Sequence, residues 1–271
     1  MQKTRDIVLF DMDGTLTPAR KAITNKMIRV ILKELDPVTD WGIVTGSGFD
    51  YLMDQCSELL SKVKKENVHL LPCNGTQYWT FDKEDRVWVE HPPKDMRDFV
   101  GSVKFNLIVR DLLIKQTKTL DHILIPSDID ISGHFVSYRQ SMINWCPIGR
   151  DASDDLRQKF FDFDSKTKWR ETARKELLET FGHYSPDVVV TIGGHTSFDI
   201  FPQGWDKTFA LSRFPQQKVW FVGDKCTGSG NDRTIFEKLD KAGRGFQTSC
   251  PEETIKIIRK HIIPVLSNES T

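Results

Sequence analysis

The chain has 271 residues, enough for one large domain or two modest ones with a sizeable core. Lys plus Arg and Asp plus Glu are both 38, so no net charge steers it to nucleic acid or to an acidic membrane surface. Hydrophobic residues make up 38% and no run approaches the ~20 apolar residues of a spanning helix; five scattered cysteines without CxxC spacing (Cys56, Cys73, Cys146, Cys226, Cys250) read as reduced thiols.

Met1 to Asp6 leads straight into the first predicted strand and leaves no room for a signal peptide, so the cytoplasm is the expected compartment. Ile7-Val8-Leu9-Phe10 reads as a short buried strand, and Asp11-Met12-Asp13-Gly14-Thr15-Leu16-Thr17-Pro18 follows it. A strand that stops at paired acids presents them where open α/β sheets bind ligands. Apolar spacing over 20–35 predicts a helix with Thr24 near its start. A second strand, 41–44, ends at Thr45-Gly46-Ser47-Gly48; a helix over 51–63 and a third strand, 68–71, closed by Pro72 and Asn74-Gly75, come next. This alternation opens a doubly wound parallel sheet.

Past Gly75 the rhythm changes. Residues 78–81 and 87–89 suggest an antiparallel hairpin, and 95–118 is mostly helical in pattern. Strands are expected at 123–125, 135–138 and 142–145, a helix at 165–181, and paired strands at 188–192 and 197–200 across Gly193-Gly194. The first rhythm then returns. The strand 219–222 runs into Gly223-Asp224, a glycine-rich loop precedes a helix from Asp232, and a short piece around Phe246 leads to a final helix over 251–265, frayed from Asn268. The expected fold class is α/β: a doubly wound, Rossmann-like core of residues 1–81 and 204–271, with an α+β cap, 82–203, inserted.

Asp-x-Asp-Gly-Thr-Leu-Thr resembles the signature of the haloacid dehalogenase superfamily of phosphoryl-transfer enzymes. The resemblance makes Asp11 the nucleophile that forms an aspartyl-phosphate and Asp13 the general acid and base. Neighbouring carboxylates and a dianionic phosphate repel, so a cation is needed, and a hard oxygen set suits Mg²⁺. Asp224 brings a further carboxylate to the same sheet edge, and Asn231 and Asp232 hold a metal-bound water or orient Asp224; the metal candidates are thus Asp11, Asp13, Asp224, Asn231 and Asp232. Lys207 falls where the superfamily puts its lysine, a point charge against phosphoryl oxygens. Thr45 or Ser47 would hydrogen-bond one of those oxygens. In the cap, Arg139, Arg150 and Arg157 lie on adjoining elements, and guanidinium forks grip phosphate bidentately.

Four blocks narrow the resemblance to the eukaryotic-type phosphomannomutases, with a cap of the C2B class. They are Asp11 to Arg20; Tyr138-Arg139, Met142-Ile143-Asn144 and Pro147-Ile148-Gly149-Arg150; Gly193 to Lys207; and Gly223-Asp224-Lys225 with Gly230-Asn231-Asp232. The resemblance implies that Arg20, Arg139, Arg150 and Arg157 contact substrate phosphate or sugar, with Ser197 and Asp199 on sugar hydroxyls. It further implies Mg²⁺-dependent exchange of mannose 6-phosphate and mannose 1-phosphate, primed by a hexose 1,6-bisphosphate, in GDP-mannose biosynthesis, and a homodimer formed through the cap. The chain departs from the family at Gln140-Ser141 (usually Asn-Gly), at Asp151 (usually neutral), at Lys238 (usually an acid for a second cation) and in Val44-Thr45-Gly46-Ser47, which is closer to sugar phosphatases. An Mg²⁺-dependent sugar phosphatase is the alternative reading, and a non-catalytic sugar-phosphate-binding protein the third.

Overall fold

The structure, a computed structural model, describes residues 6–268; residues 1–5 and the predicted frayed end from 269 on lie outside them. The chain forms two units, one of residues up to Pro93 together with those from Gly204 on, the other Lys94–Gln203.

The first unit holds β1 (Ile7–Phe10), α1 (Asn25–Val30), β2 (Asp40–Val44), α2 (Phe49–Leu60), β3 (Val68–Leu71), β4 (Trp79–Asp82) and β5 (Val87–Glu90). Its seven-stranded sheet is completed by two strands from the far end of the sequence, and its order is 245–247, 219–223, β1, β2, β3, β4, β5. All pairings among the first five of these are parallel, and β4 and β5 are antiparallel additions at the edge. Strand β1 is buried along its whole length because helices cover both faces, which is why its sequence is a continuous apolar run. Val8 and Phe10 face a cluster containing Met27, Ile31, Leu52 and Leu59; Ile7 and Leu9 face another containing Ala210, Phe221, Ile235 and Leu239. Thr24 caps α1, accepting from the Met27 N–H at 3.3 Å, and the helix continues through a π-helical turn, Ile31–Leu35.

The expected boundary at residue 82 moves to 94. The hairpin β4–β5, whose second strand falls inside the predicted cap, pairs Trp79 with Leu70 of β3 and so extends the core sheet.

The second unit holds α3 (Met96–Val100), α4 (Ser102–Thr119), β6 (Val136–Tyr138), β7 (Ile143–Trp145), α5 (Asp154–Thr167), α6 (Trp169–Gly182), β8 (Val188–Gly193) and β9 (Ser197–Pro202). Its sheet, ordered β6-β7-β9-β8, is antiparallel throughout. Two expectations are corrected. Residues 123–125 are not a strand: Leu120–Leu124 is a π-helical turn that prolongs α4, burying Leu124 beside Ile129 and Phe160. A three-residue apolar run cannot by itself tell a strand from a helix end. The single helix predicted over 165–181 is two, broken at Lys168, which is left-handed (φ 55°), and α5 starts earlier because Ser153 caps it by accepting from the Leu156 N–H.

The first unit is completed by β10 (Val219–Gly223), α7 (Arg233–Asp240), β11 (Gly245–Gln247), α8 (Pro251–Ile257) and α9 (Ile263–Asn268), with Ile258–Ile262 a π-helical turn between the last two helices.

Candidate active site

Strands β1 and β10 are adjacent and parallel, so the residues that follow them, Asp11 and Asp224, emerge at the same sheet edge. Register carries this: Phe10 lies opposite Val222, and the Asp11 N–H donates to the Val222 carbonyl at 2.9 Å. Asp11, Asp224 and Asp232 each bring a carboxylate oxygen to a group whose atoms lie within 4.8 Å of one another. Gly14, with φ +88°, follows the paired acids because a Cβ there would stand 2.5 Å from Asp224 Oδ2.

Lys207 is fully buried and donates to Asp11 Oδ1 and, at 2.5 Å, to Asp232 Oδ1. Asp232 Oδ2 accepts the Lys225 N–H at 3.0 Å, so both Asp232 oxygens are engaged in holding the loop and the lysine. Burial would lower the Lys207 ammonium's pKa, but Asp11 and Asp232 outweigh it and hold it above its usual value. Burial, with the charge of Asp232, pushes Asp11 up to about 8 against the pull of Lys207. Asp224 is raised chiefly by burial, and its Oδ1 is buried without a hydrogen-bond partner. Three carboxylates against one ammonium, with one oxygen orphaned, is a donor set that fits a hard divalent cation.

The structure does not gather Asp13 with that group. Its Oδ1 accepts instead from the Arg20 N–H at 2.7 Å and from the Tyr51 hydroxyl at 3.2 Å. Arg20 meets it with its backbone at φ 59°, while its residue is exposed. Asn231 is half-buried in the turn before Asp232. At the end of β2, Thr45 is buried, and its Oγ1 accepts the Ser47 N–H at 3.1 Å, leaving its own hydrogen to donate; Ser47 is half-buried. Tyr51 was missed by sequence reasoning. Its place near the start of α2, after the Thr45 loop, was the available signal.

In the second unit the arginines form a linked set. Arg150 Nη1 donates to Asn144 Oδ1 at 2.9 Å, and Asn144 Nδ2 donates to Asp199 Oδ1 at 2.7 Å. Burial, then the charges of Arg139 and Arg157, lower the Arg150 pKa, as expected where like charges are brought together. Arg157 is tied to the loop before α5, through Ala152 O at 3.0 Å and Arg150 O, and to the turn between β8 and β9, through Thr196 Oγ1 at 2.8 Å. Ser197 Oγ donates to Gly193 O at 3.1 Å. Asp151 is directed to His134, 3.4 Å away, and Lys238 is exposed on α7. Asn144, the bridge between Arg150 and Asp199, was quoted only as part of a motif; a buried polar residue flanked by Ile143 and Trp145 was the sign of its role.

A doubly wound sheet with paired acids after its first strand and an inserted α+β unit is the haloacid dehalogenase-like fold. A haloacid dehalogenase-like hydrolase from Bacteroides thetaiotaomicron superposes with a TM-score of 0.53 at 12% identity, covering 98% of this chain and 100% of that one. An IMP-nucleotidase from Plasmodium falciparum does so at 0.60 and 13% identity, covering 98% and 69%. The sequence comparisons go further. Residues 28–264 match the profile of the eukaryotic phosphomannomutase family. A phosphomannomutase of Nicotiana benthamiana is 34% identical over 252 residues, covering 92% of this chain and 91% of its own. One of Saccharomyces cerevisiae is 32% identical, covering 95% and 94%, and a probable phosphomannomutase of Caenorhabditis elegans 33%, covering 97% and 96%. The chain belongs to the eukaryotic phosphomannomutase family.

Proposed function

We propose that this chain interconverts mannose 6-phosphate and mannose 1-phosphate through an aspartyl-phosphate on Asp11. The observation that carries the reading is Asp11 at the end of β1, gripped by the buried Lys207 beside Asp224 and Asp232, in a chain of this family. On the phosphorylated enzyme the free hydroxyl of the hexose monophosphate attacks the phosphorus of the aspartyl-phosphate and gives its proton to Asp13, the bond from phosphorus to Asp11 breaks, and a hexose bisphosphate forms. The bisphosphate then turns so that its other phosphate faces Asp11, whose carboxylate oxygen attacks that phosphorus while Asp13 returns the proton to the departing sugar oxygen, releasing the isomerised monophosphate and renewing the aspartyl-phosphate. The hydrogen bonds from Arg20 N and Tyr51 OH support the acid–base role by fixing the Asp13 carboxyl. Lys207, with Thr45 or Ser47, is assigned to the transferring phosphoryl oxygens.

Asp11 and Asp224 are the residues that would hold Mg²⁺, supported by Asp232, and the ion would supply positive charge that lets a phosphate dianion approach Asp11. Arg139, Arg150 and Arg157 are assigned to the phosphate that is not reacting, Arg20 to substrate phosphate, and Ser197 and Asp199 to sugar hydroxyls. A hexose 1,6-bisphosphate primes the cycle by phosphorylating Asp11. No helix among the described residues is long and apolar enough to cross a membrane. The enzyme proposed here is a cytoplasmic homodimer that serves GDP-mannose biosynthesis.

The test is phosphorus NMR of purified protein with mannose 1-phosphate and Mg²⁺, with and without a hexose 1,6-bisphosphate. With the bisphosphate, mannose 6-phosphate should form far faster than free phosphate; without it, only slow hydrolysis should be seen. Phosphate release that dominates in both conditions would replace this reading with a sugar phosphatase.

A further inference from the structure

Directly after β3 the backbone takes three successive left-handed residues: Cys73 (φ 49°), Asn74 (φ 64°) and Gly75 (φ 87°). All three are buried. Left-handed conformations cost most residues ~1–2 kcal/mol each, so two non-glycine residues persist in them only where surrounding bonds hold them. Those bonds reach both neighbours of the phosphoryl-transfer site. Cys73 N donates to Ser47 O at 2.9 Å and Asn74 N to Thr45 O at 2.8 Å, gripping the loop after β2. The Asn74 carboxamide, Nδ2, donates to Trp205 O at 3.3 Å, two residues before Lys207. Gly75 lies so close to the turn that follows Lys207 that a Cβ on it would stand 2.7 Å from Ala210 Cα. Through its main-chain N–H and its carboxamide, Asn74 therefore joins two segments, at Thr45 and Trp205, that the sequence keeps about 160 residues apart.

We propose that Asn74 is a positioning residue: its main chain and carboxamide together set the spacing between Thr45 and Lys207. It touches neither Asp11 nor substrate and acts through the residues it holds. The inference rests on the assignment of Thr45 and Lys207 to the phosphoryl oxygens. Asparagine suits the position because its side chain tolerates the left-handed region and carries the donor that a carbonyl requires. Displacing a catalytic ammonium is enough to lower turnover, because stabilising the transferring phosphoryl group depends on donors already held at hydrogen-bond distance.

Two substitutions separate geometry from stability. Asn74→Gly keeps the left-handed backbone and its N–H but loses the carboxamide. Asn74→Ala loses the same group and keeps a Cβ in the left-handed region, which alanine tolerates less well than asparagine. Each is assayed, per folded molecule, for hydrolysis of p-nitrophenyl phosphate and for isomerisation of mannose 1-phosphate, alongside its Tm. Positioning predicts that both variants lose kcat by on the order of tenfold on both substrates with KM little changed, and that only the alanine variant has a clearly lower Tm. A glycine variant within twofold of wild type in kcat overturns the proposal, as does a loss that follows Tm from one variant to the other. If wild type hydrolyses the ester without isomerising the sugar and the variants still lose that activity, the positioning role stands and the mutase reading falls. A wild-type protein inactive on both would overturn both.

Discussion

At the scale of single residues, Lys207 carries the heaviest electrostatic duty: fully buried, it is bonded to two carboxylates, with a third close to them. Removing its charge leaves those acids uncompensated in a poorly solvated place. Lys207→Met should therefore lower stability by about 3–5 kcal/mol, read from the urea midpoint, as well as abolish turnover. A variant as stable as wild type would show that the acids are neutral or solvated without it. Asp11→Asn tests the nucleophile with little change of shape. It should end both isomerisation and ester hydrolysis while far-ultraviolet circular dichroism stays unchanged, because an amide cannot form the phosphoenzyme. Asp224→Asn should shift half-maximal activation to higher Mg²⁺, since it replaces the buried oxygen that has no partner among the protein groups. Unchanged metal dependence would remove Asp224 from the cation site.

Among the elements, the hairpin β4–β5 and its neighbour β3 hold a stacked aromatic and histidine group. His69 Nδ1 and the Tyr78 hydroxyl lie 2.8 Å apart, Tyr78 stacks on His91 at 4.5 Å, and His91 Nε2 meets Thr80 Oγ1 at 2.8 Å. Burial, reinforced by His91, lowers the His69 pKa to about 4. An unfolded chain takes up this proton nearer pH 6.5, so stability is complete above that pH and falls as pH drops from there towards 4. The loss is at most about 3 kcal/mol. Denaturant titrations at pH 7.5 and 4.5 should reveal it, and His69→Gln should flatten the difference; an equal slope in the variant would place the acid sensitivity elsewhere. In the second unit, Gln140 takes φ 64° in the tight turn between β6 and β7, where the family usually has Asn-Gly. Gln140→Asn should stabilise by ~0.5–1 kcal/mol, because asparagine enters the left-handed region more readily. A fall in Tm would mean that the glutamine side chain makes compensating bonds.

For the whole molecule, the proposed reaction class turns on the arginines of the second unit. A phosphatase would need only the groups proposed to act at the reacting phosphate, whereas an isomerase must also hold the phosphate at the far end of the sugar. Arg139→Ala and Arg150→Ala should therefore cut mannose phosphate isomerisation at least tenfold more than p-nitrophenyl phosphate hydrolysis, since a guanidinium–phosphate fork contributes more than ~1.4 kcal/mol and the ester has no second phosphate. Equal losses would make these arginines structural, a role in keeping with the bond from Arg150 to Asn144.

What could be read from the sequence was whatever is written in adjacent residues. The apolar run 7–10 closing on Asp11, its counterpart 219–222 closing on Asp224, and the helices α1 and α2 were legible because period and burial follow from local pattern. The family motifs were legible because they are contiguous. The boundary at 94 was not, since a hairpin of alternating residues suits either sheet and only pairing with Leu70 decides which it joins. The strand expected at 123–125 became a π-helical turn because Leu124 had a pocket beside Phe160 to fill. The pairing of Tyr51 with Asp13, of Asn144 with Arg150 and Asp199, and of Asn74 with Thr45 and Trp205 was decided by tertiary structure. Each is a hydrogen bond between residues that local pattern does not relate, satisfied only once the chain has folded around it.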